Sequence, residues 1–413
     1  MESLLVTFMG RSGSQAGGPR KYVPTPYRFA GEGPHAVKNA TFFGVALFQH
    51  LAEQGRPPDL LLVGTEGSSW DYLEDFFVSL NLDPPPGWDP AFRRLEEEVE
   101  EGRVSQETLD QVLGHLGKSL GVQVAGLVLP NPPTPEEVHQ RFLDRLQALY
   151  GQQGVKELHL DITHGYRYLG FVLLADALVL RHIWGARIFL HYGGLELRQQ
   201  EAPVVDLGLV EGLMTLDEGL SVLKAVGDFR PYYSWTAGLA EEAERAYLVV
   251  ETNQQQEVAR LLEPLRAARP PLSHPLVHDW VVGVLEGFSG ASFEEKLLNR
   301  SEFFWNRGQY FKAILLLFEA LLVAGVKRFL PGQDPLNYEH RMEAREKLLE
   351  KLATLGGAAQ EDYDLLRRVR NAIAHGTRPQ GADAQRAVQS LEELEKLYRR
   401  GRDLFHRIRE VHP

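Results

Sequence analysis

The chain contains no cysteine among its 413 residues. Disulfides, thiolate zinc sites, iron–sulfur clusters and cysteine nucleophiles are therefore excluded. It also lacks a long apolar run. The most apolar stretch, Ala313–Val326, is interrupted by Glu319 and is too short to span a bilayer, so it reads as a buried helix. The opening MESLLVTFMG has neither the basic region nor the apolar run of a signal peptide, and a cytoplasmic protein is expected. Positive charge is in deficit, with 44 Lys and Arg against 56 Asp and Glu, a net −12. A protein that coats nucleic acid through its overall field is excluded, but a local basic site is not. What is present suffices for a core: 44% of residues are hydrophobic and 24% charged. The length suggests two or three domains.

The first half alternates between two periods. Short apolar runs predict strands at Leu4–Met9, Asp59–Val63, Val122–Leu129, Lys156–Ile162, Ala186–Tyr192 and Val204–Leu207. Helical spacing predicts helices over 35–54, 91–117, 135–150 and Tyr166–Ile183. Thr134 caps the third of these, with Glu137 at the capping-box position. Strands alternating with helices predict a mostly parallel sheet covered on both faces. Ligands of such sheets bind outside the carboxyl ends of the strands, so the loops after Met9, Val63 and Ile162 are candidates.

After about residue 215 strand signals disappear. Residues 216–292 read as helices broken at Arg230-Pro231, Arg269-Pro270-Pro271 and His274-Pro275, and 293–413 as helices at 293–306, 309–330, 339–355, 361–375 and 383–411. Charge divides with the chain. Lys296–Pro413 holds 21 Lys and Arg against 16 Asp and Glu, leaving +5; the remainder holds 23 against 40, leaving −17.

Two strings carry chemistry. The first runs from Leu365 to Gly376 and ends a helix, with Leu366, Val369 and Ile373 on one stripe and Gly376 suited to the left-handed residue after it. Asn371 and His375 are four apart and share a face. Arg370 lies about 140° around the axis from His375, so one helix does not aim all three at a point. Two such helices across a two-fold axis would pool them. That set suits RNA cleavage by its own 2′-hydroxyl: histidine moves protons near neutral pH, and arginine offsets charge growing on the phosphate without a metal. By spacing alone, the plainer reading is an amphipathic helix with His375 against its C-terminal dipole.

The second string is His159-Leu160-Asp161-Ile162-Thr163-His164-Gly165-Tyr166-Arg167-Tyr168. A strand ends, small polar groups follow and a helix opens. Its N-terminal N–H groups, the Thr163 hydroxyl and Arg167 form a candidate phosphate site. Gly10, Arg11 and Ser12 follow strand one in a loop open to close backbone approach. Thr65 follows strand two, and Trp70 after it is a candidate to stack on a base. A metal at His159, Asp161 and His164 is not expected, because His164 lies in the loop. A polar helix cap explains Thr163–Arg167 about as readily as a ligand does. The glycine loop is neither a phosphate-binding Walker motif, since Pro19 stands where lysine is needed, nor a dinucleotide fingerprint.

Arg370-Asn371-x-x-x-His375 resembles the R-x4–6-H motif of HEPN ribonuclease domains. Asp161-Ile162-Thr163-His164-Gly165-Tyr166-Arg167 resembles the D-[IV]-T-H-G-[FY]-R signature of CRISPR-associated proteins with a CARF domain. The FMGR…KYVPTPYRF pattern and Tyr192-Gly193-Gly194-Leu195-Glu196 fit the same group. In this order the two motifs are similar to the CARF–HEPN accessory ribonucleases of type III CRISPR systems.

The resemblance implies an α/β Rossmann-like CARF domain over 1–215, a helical connecting region over 216–292 and an all-α HEPN domain over 293–413. It implies a homodimer whose CARF pair binds cyclic oligoadenylate, with cyclic tetra-adenylate the expected ring, through Gly10, Arg11, Ser12, Thr65, Trp70 and Thr163 to Arg167. Binding would gate metal-independent cleavage of single-stranded RNA by Arg370, Asn371 and His375, giving a 2′,3′-cyclic phosphate. No cofactor is implied. Two other readings stay open: a ligand-binding regulator whose HEPN part only dimerises, and an enzyme that degrades its own activator.

Overall fold

A computed structural model describes residues 3–11, 24–30, 36–55, 57–198, 200–233, 239–252, 255–269, 275–288, 292–354 and 357–410. Ser12, placed in the candidate ligand loop, lies outside the described residues, as does Pro19. The chain divides into two compact units, Met1–Gly212 and Leu213–Pro413.

The first unit holds one eight-stranded sheet. Its strands are β1 (Ser3–Met9), β2 (Thr25–Arg28), β3 (Val37–Ala40), β4 (Asp59–Thr65), β5 (Val124–Leu129), β6 (Glu157–Asp161), β7 (Arg187–Gly193) and β8 (Ala202–Asp206), in the order β3-β2-β8-β7-β6-β1-β4-β5. Five pairings are parallel; β2–β3 and β7–β8 are antiparallel. The strands of the parallel core read as continuous apolar runs because both faces are covered. Leu4 to Met9 and Leu60 to Thr65 are buried throughout. The helices are α1 (Phe43–Glu53), α2 (Asp75–Leu80), α3 (Trp88–Glu101), α4 (Gln106–Leu120), α5 (Pro135–Tyr150) and α6 (Arg167–Trp184). In the parallel core β4 and then β5 lie on one side of β1, and the later β6 and β7 on the other, a reversal of strand order at β1. That reversal opens a crevice at the carboxyl ends of β1, β4 and β6.

Several predicted boundaries shift for identifiable reasons. The stretch 35–54 is not all helix: β3 precedes α1, and the Thr41 N–H donates to Asp75 Oδ2 at 2.9 Å between them. The charged stretch 91–117 is two helices. Gly102 adopts φ +68° after α3, and the Ser105 hydroxyl accepts the Thr108 N–H at 3.2 Å to start α4. The capping box of α5 forms as the sequence suggests. Glu137 N–H donates to Thr134 Oγ1 at 3.2 Å, and Thr134 N–H donates to Glu137 Oε2 at 2.9 Å.

After Asp206 the described residues form no strand. α7 (Gly208–Val226) contains the division between the units. α8 (Arg230–Tyr233), α9 (Ala240–Glu251), α10 (Gln255–Ala267), α11 (Pro275–Glu286), α12 (Phe293–Trp305), α13 (Tyr310–Phe329), α14 (Tyr338–Thr354), α15 (Gly357–His375), α16 (Ala382–Gln389) and α17 (Leu391–Glu410) follow. One apolar core runs from Leu216 to Ile408, so the stretches 216–292 and 293–413 share it. At its centre lies α13, packed by α12, α14, α15 and α17. The predicted helix over 383–411 is two, because Ser390 turns extended and its carbonyl accepts the Leu394 N–H at 3.0 Å to open α17. Among the described residues no helix is long and apolar enough to cross a membrane.

Candidate functional site

A cavity of about 450 Å³ occupies the crevice of the first unit. Gly10 and Arg11 line it from the loop after β1, Thr65 from the end of β4 and Ser68 from the loop that follows, and Thr163 to Tyr166 from the loop after β6. Seven of the sequence-predicted residues thus line one cavity: Gly10, Arg11, Thr65, Thr163, His164, Gly165 and Tyr166. Trp70 and Arg167 are not among the lining residues. Trp70 is fully buried, its indole N–H donates to the Thr65 carbonyl at 2.9 Å, and its ring lies beneath Gly64. No base can stack on it. Arg167 opens α6 on the exposed surface, where its charge acts on Tyr192 and Glu196.

The Asp161–Gly165 string works first as a clamp. The Asp161 carboxylate accepts the Thr7 hydroxyl at 2.6 Å and the Thr163 N–H at 2.8 Å. The Thr163 hydroxyl accepts the Gly193 N–H at 2.7 Å, tying β6 to β7. His164 Nε2 accepts the Phe43 N–H at 3.1 Å, tying the loop to α1. Gly165 adopts φ +86° with Phe8 Cβ 3.3 Å from where its own Cβ would stand; a side chain there would be strained. The Thr163 hydroxyl and the His164 imidazole thus each hold the loop in place, and both residues also line the cavity. Ser68 does the same for the first loop: its hydroxyl donates to the Met9 carbonyl at 2.8 Å.

What the clamp leaves free faces the cavity. α6 begins without a side-chain cap and without an acid in its first turn; the Leu169 N–H turns back to the Tyr166 carbonyl at 2.9 Å, and the dipole of the helix start favours an anion. The Tyr166 ring is 43% exposed, and its hydroxyl donates to Asn131 Oδ1 at 2.7 Å. Asn131 was missed from the sequence. It follows the predicted strand Val122–Leu129, and the rule for strand carboxyl ends would have found it. Arg11 is the one charged side chain among the described lining residues, which include no carboxylate. Beneath them burial pushes the Asp161 carboxyl up and the His164 imidazole down, so both favour their neutral forms.

His159 points elsewhere. Its Nδ1 shares a proton with His191 Nε2 at 3.0 Å, and its ring stacks on Phe189. Among the described residues no three His, Asp or Glu side chains are arranged to hold a metal. Burial, with the His191 and Arg187 charges, pushes His159 from 6.5 down to about 3. The unfolded chain takes this proton below about 6.5 while the folded chain refuses it. The stability is complete above 6.5 and falls as pH drops, by about 1.4 kcal/mol per unit. Urea midpoints at pH 7.5 and 5 should therefore differ more in wild type than in His159→Phe; equal differences would refute this.

In the second unit α15 carries Arg370, Asn371 and His375 on one continuous helix. Leu366, Val369 and Ala372 are buried and fix its inner face. Gly376 adopts φ +62° and the Thr377 N–H donates to the Ala372 carbonyl at 3.0 Å, closing the helix as predicted. His375 is exposed at the last position. Arg370 is half-buried; its guanidinium donates to Asn371 Oδ1 at 3.1 Å and to Glu319 Oε1 on α13 at 3.4 Å. Arg367 donates to Asp364 Oδ1 at 3.2 Å, and Arg368 to the Gln380 carbonyl at 3.1 Å.

No family model matches the chain, and no curated protein does. Among solved structures it is similar to Enterococcus italicus Csm6 bound to cyclic hexa-2′-fluoro-hexa-dAMP, at 10% identity and a TM-score of 0.37, over 100% of this chain and 96% of that one.

Proposed function

We propose that the chain is a ribonuclease gated by cyclic oligoadenylate: the first unit binds the ring and the second cleaves single-stranded RNA. The observation that carries this is the cavity lining. Three loops at strand carboxyl ends supply an arginine, an uncapped helix start and an exposed tyrosine, with no carboxylate among the described lining residues. That is a receptor for phosphate and base. In the second unit, His375 and Arg370 supply proton transfer and phosphate charge.

A cavity of about 450 Å³ suits one small ligand. A ring of several nucleotides exceeds it, so two copies sharing the ring about a two-fold axis complete the site. α6 begins one residue beyond Tyr166 and exposes Phe171, Val179 and Ile183, spaced for one face and 75%, 47% and 64% exposed. This stripe is the surface two copies share.

Incubation with cyclic tri-, tetra- and hexa-adenylate tests the reading. The matching ring raises the thermal midpoint by about 5 °C or more at a hundredfold excess over Kd. The same ring switches on cleavage of labelled single-stranded RNA in EDTA. No shift with any ring, or cleavage indifferent to all of them, would sink it.

A further inference from the structure

Glu319 is the sole acid within the apolar run of α13, and two arginines converge on it. Arg341 from α14 holds Oε2 at 2.6 Å; Arg370 from α15 reaches Oε1 at 3.4 Å. Arg341 is further fixed by donating Nε–H to the Pro335 carbonyl at 2.6 Å. All three side chains are largely buried, at 21%, 19% and 27% exposure for Arg341, Glu319 and Arg370. The Arg370 Nε–H is buried without a partner among the described residues.

The asymmetry of the two contacts has a consequence. A half-buried carboxylate left without a partner is costly. Were Arg370 the only partner of Glu319, moving it to an RNA phosphate would strand that charge. Arg341, closer and doubly anchored, keeps Glu319 paired. We propose that Glu319 is a positioning residue that holds the Arg370 fork in place before RNA arrives, and that Arg341 permits its transfer to a backbone phosphate. This inference rests on the ribonuclease reading. It adds two residues to that site, neither of which touches the reacting atoms.

The relay is read from a double-variant cycle with single-stranded RNA. Arg341→Met leaves Arg370 as the sole partner of Glu319 and raises KM about tenfold, with kcat within about twofold. Glu319→Gln in the same chain removes the charge to be stranded and returns KM to within about threefold of wild type. Arg341→Lys keeps the charge and a near-normal KM. If Arg341→Met leaves KM unchanged, or the double variant stays as impaired as the single one, the relay is wrong; mere damage to packing would not be rescued by a second change. A wild-type chain that cleaves no RNA with any ring sinks the ribonuclease reading instead. The relay is then judged by the Arg370 guanidinium resonance in 15N-labelled protein titrated with inorganic phosphate. It must move in wild type and in the double variant but not in Arg341→Met; any other pattern overturns the relay.

Discussion

His375→Ala lowers ring-activated cleavage of single-stranded RNA by about 10²–10⁴-fold, the usual contribution of a positioned general acid or base. The expectation rests on what His375 does not do. It is exposed, ends α15, and its imidazole makes no hydrogen bond among the described residues. The helix end is secured by Gly376 and the Thr377–Ala372 bond rather than by the imidazole. Fold and ring binding should therefore survive, and the thermal shift with the matching ring should equal that of wild type. Arg370→Ala should lose a comparable factor, because the fixed cation for the phosphate goes with it. Its stability loss stays small, since Arg341 still pairs Glu319. Cleavage rates and thermal shifts measured on the same preparations decide the matter. Undiminished cleavage in His375→Ala would remove the catalytic claim, and a vanished ring shift would show that the variant is damaged.

The parallel core was legible because its physics is local. A strand buried on both faces must be apolar throughout, and Leu4–Met9 and Asp59–Val63 say so plainly. The edge of the sheet was not legible. β2 is Thr25-Pro26-Tyr27-Arg28 and β3 is Val37-Lys38-Asn39-Ala40, sequences with no strand signature of their own. They are strands because they pair with each other and β2 pairs with β8, about 175 residues further on. The site divides the same way. That the loops after β1, β4 and β6 meet follows from the alternating pattern. Which atoms in them remain free does not, since the Thr163 hydroxyl is claimed by Gly193 and the His164 ring by Phe43, both distant in sequence. Trp70 illustrates the limit from the other side. An aromatic residue in a loop reads as a stacking platform until Gly64 lets its ring fold beneath the strand.

Arg11→Ala is expected to weaken ring binding about 10–100-fold, the worth of one or more charge-assisted hydrogen bonds in a partly enclosed site. Residues 1–212 hold 17 Lys and Arg against 27 Asp and Glu, a net −10. A cyclic oligoadenylate bears one negative charge per nucleotide, so the unit as a whole repels it. Repulsion from charges farther than about 8 Å is largely screened at physiological salt. What counts is the lining, where Arg11 is the one charge among the described residues and Asp161 beneath it is biased toward its neutral acid. Without Arg11 the ring meets only backbone N–H groups, the start of α6 and neutral side chains. Binding should then also lose part of its salt dependence, with a shallower slope of log Kd against log salt. Arg167→Ala removes a cation that lies off the lining and should weaken binding by about threefold or less, the worth of an exposed charge. Calorimetric titration of both variants at 50 and 300 mM salt separates the two positions (salt values of roughly the range over which such slopes are read). A larger loss in Arg167→Ala than in Arg11→Ala would place the phosphates against the exposed Arg167 side chain rather than over the loop after β1.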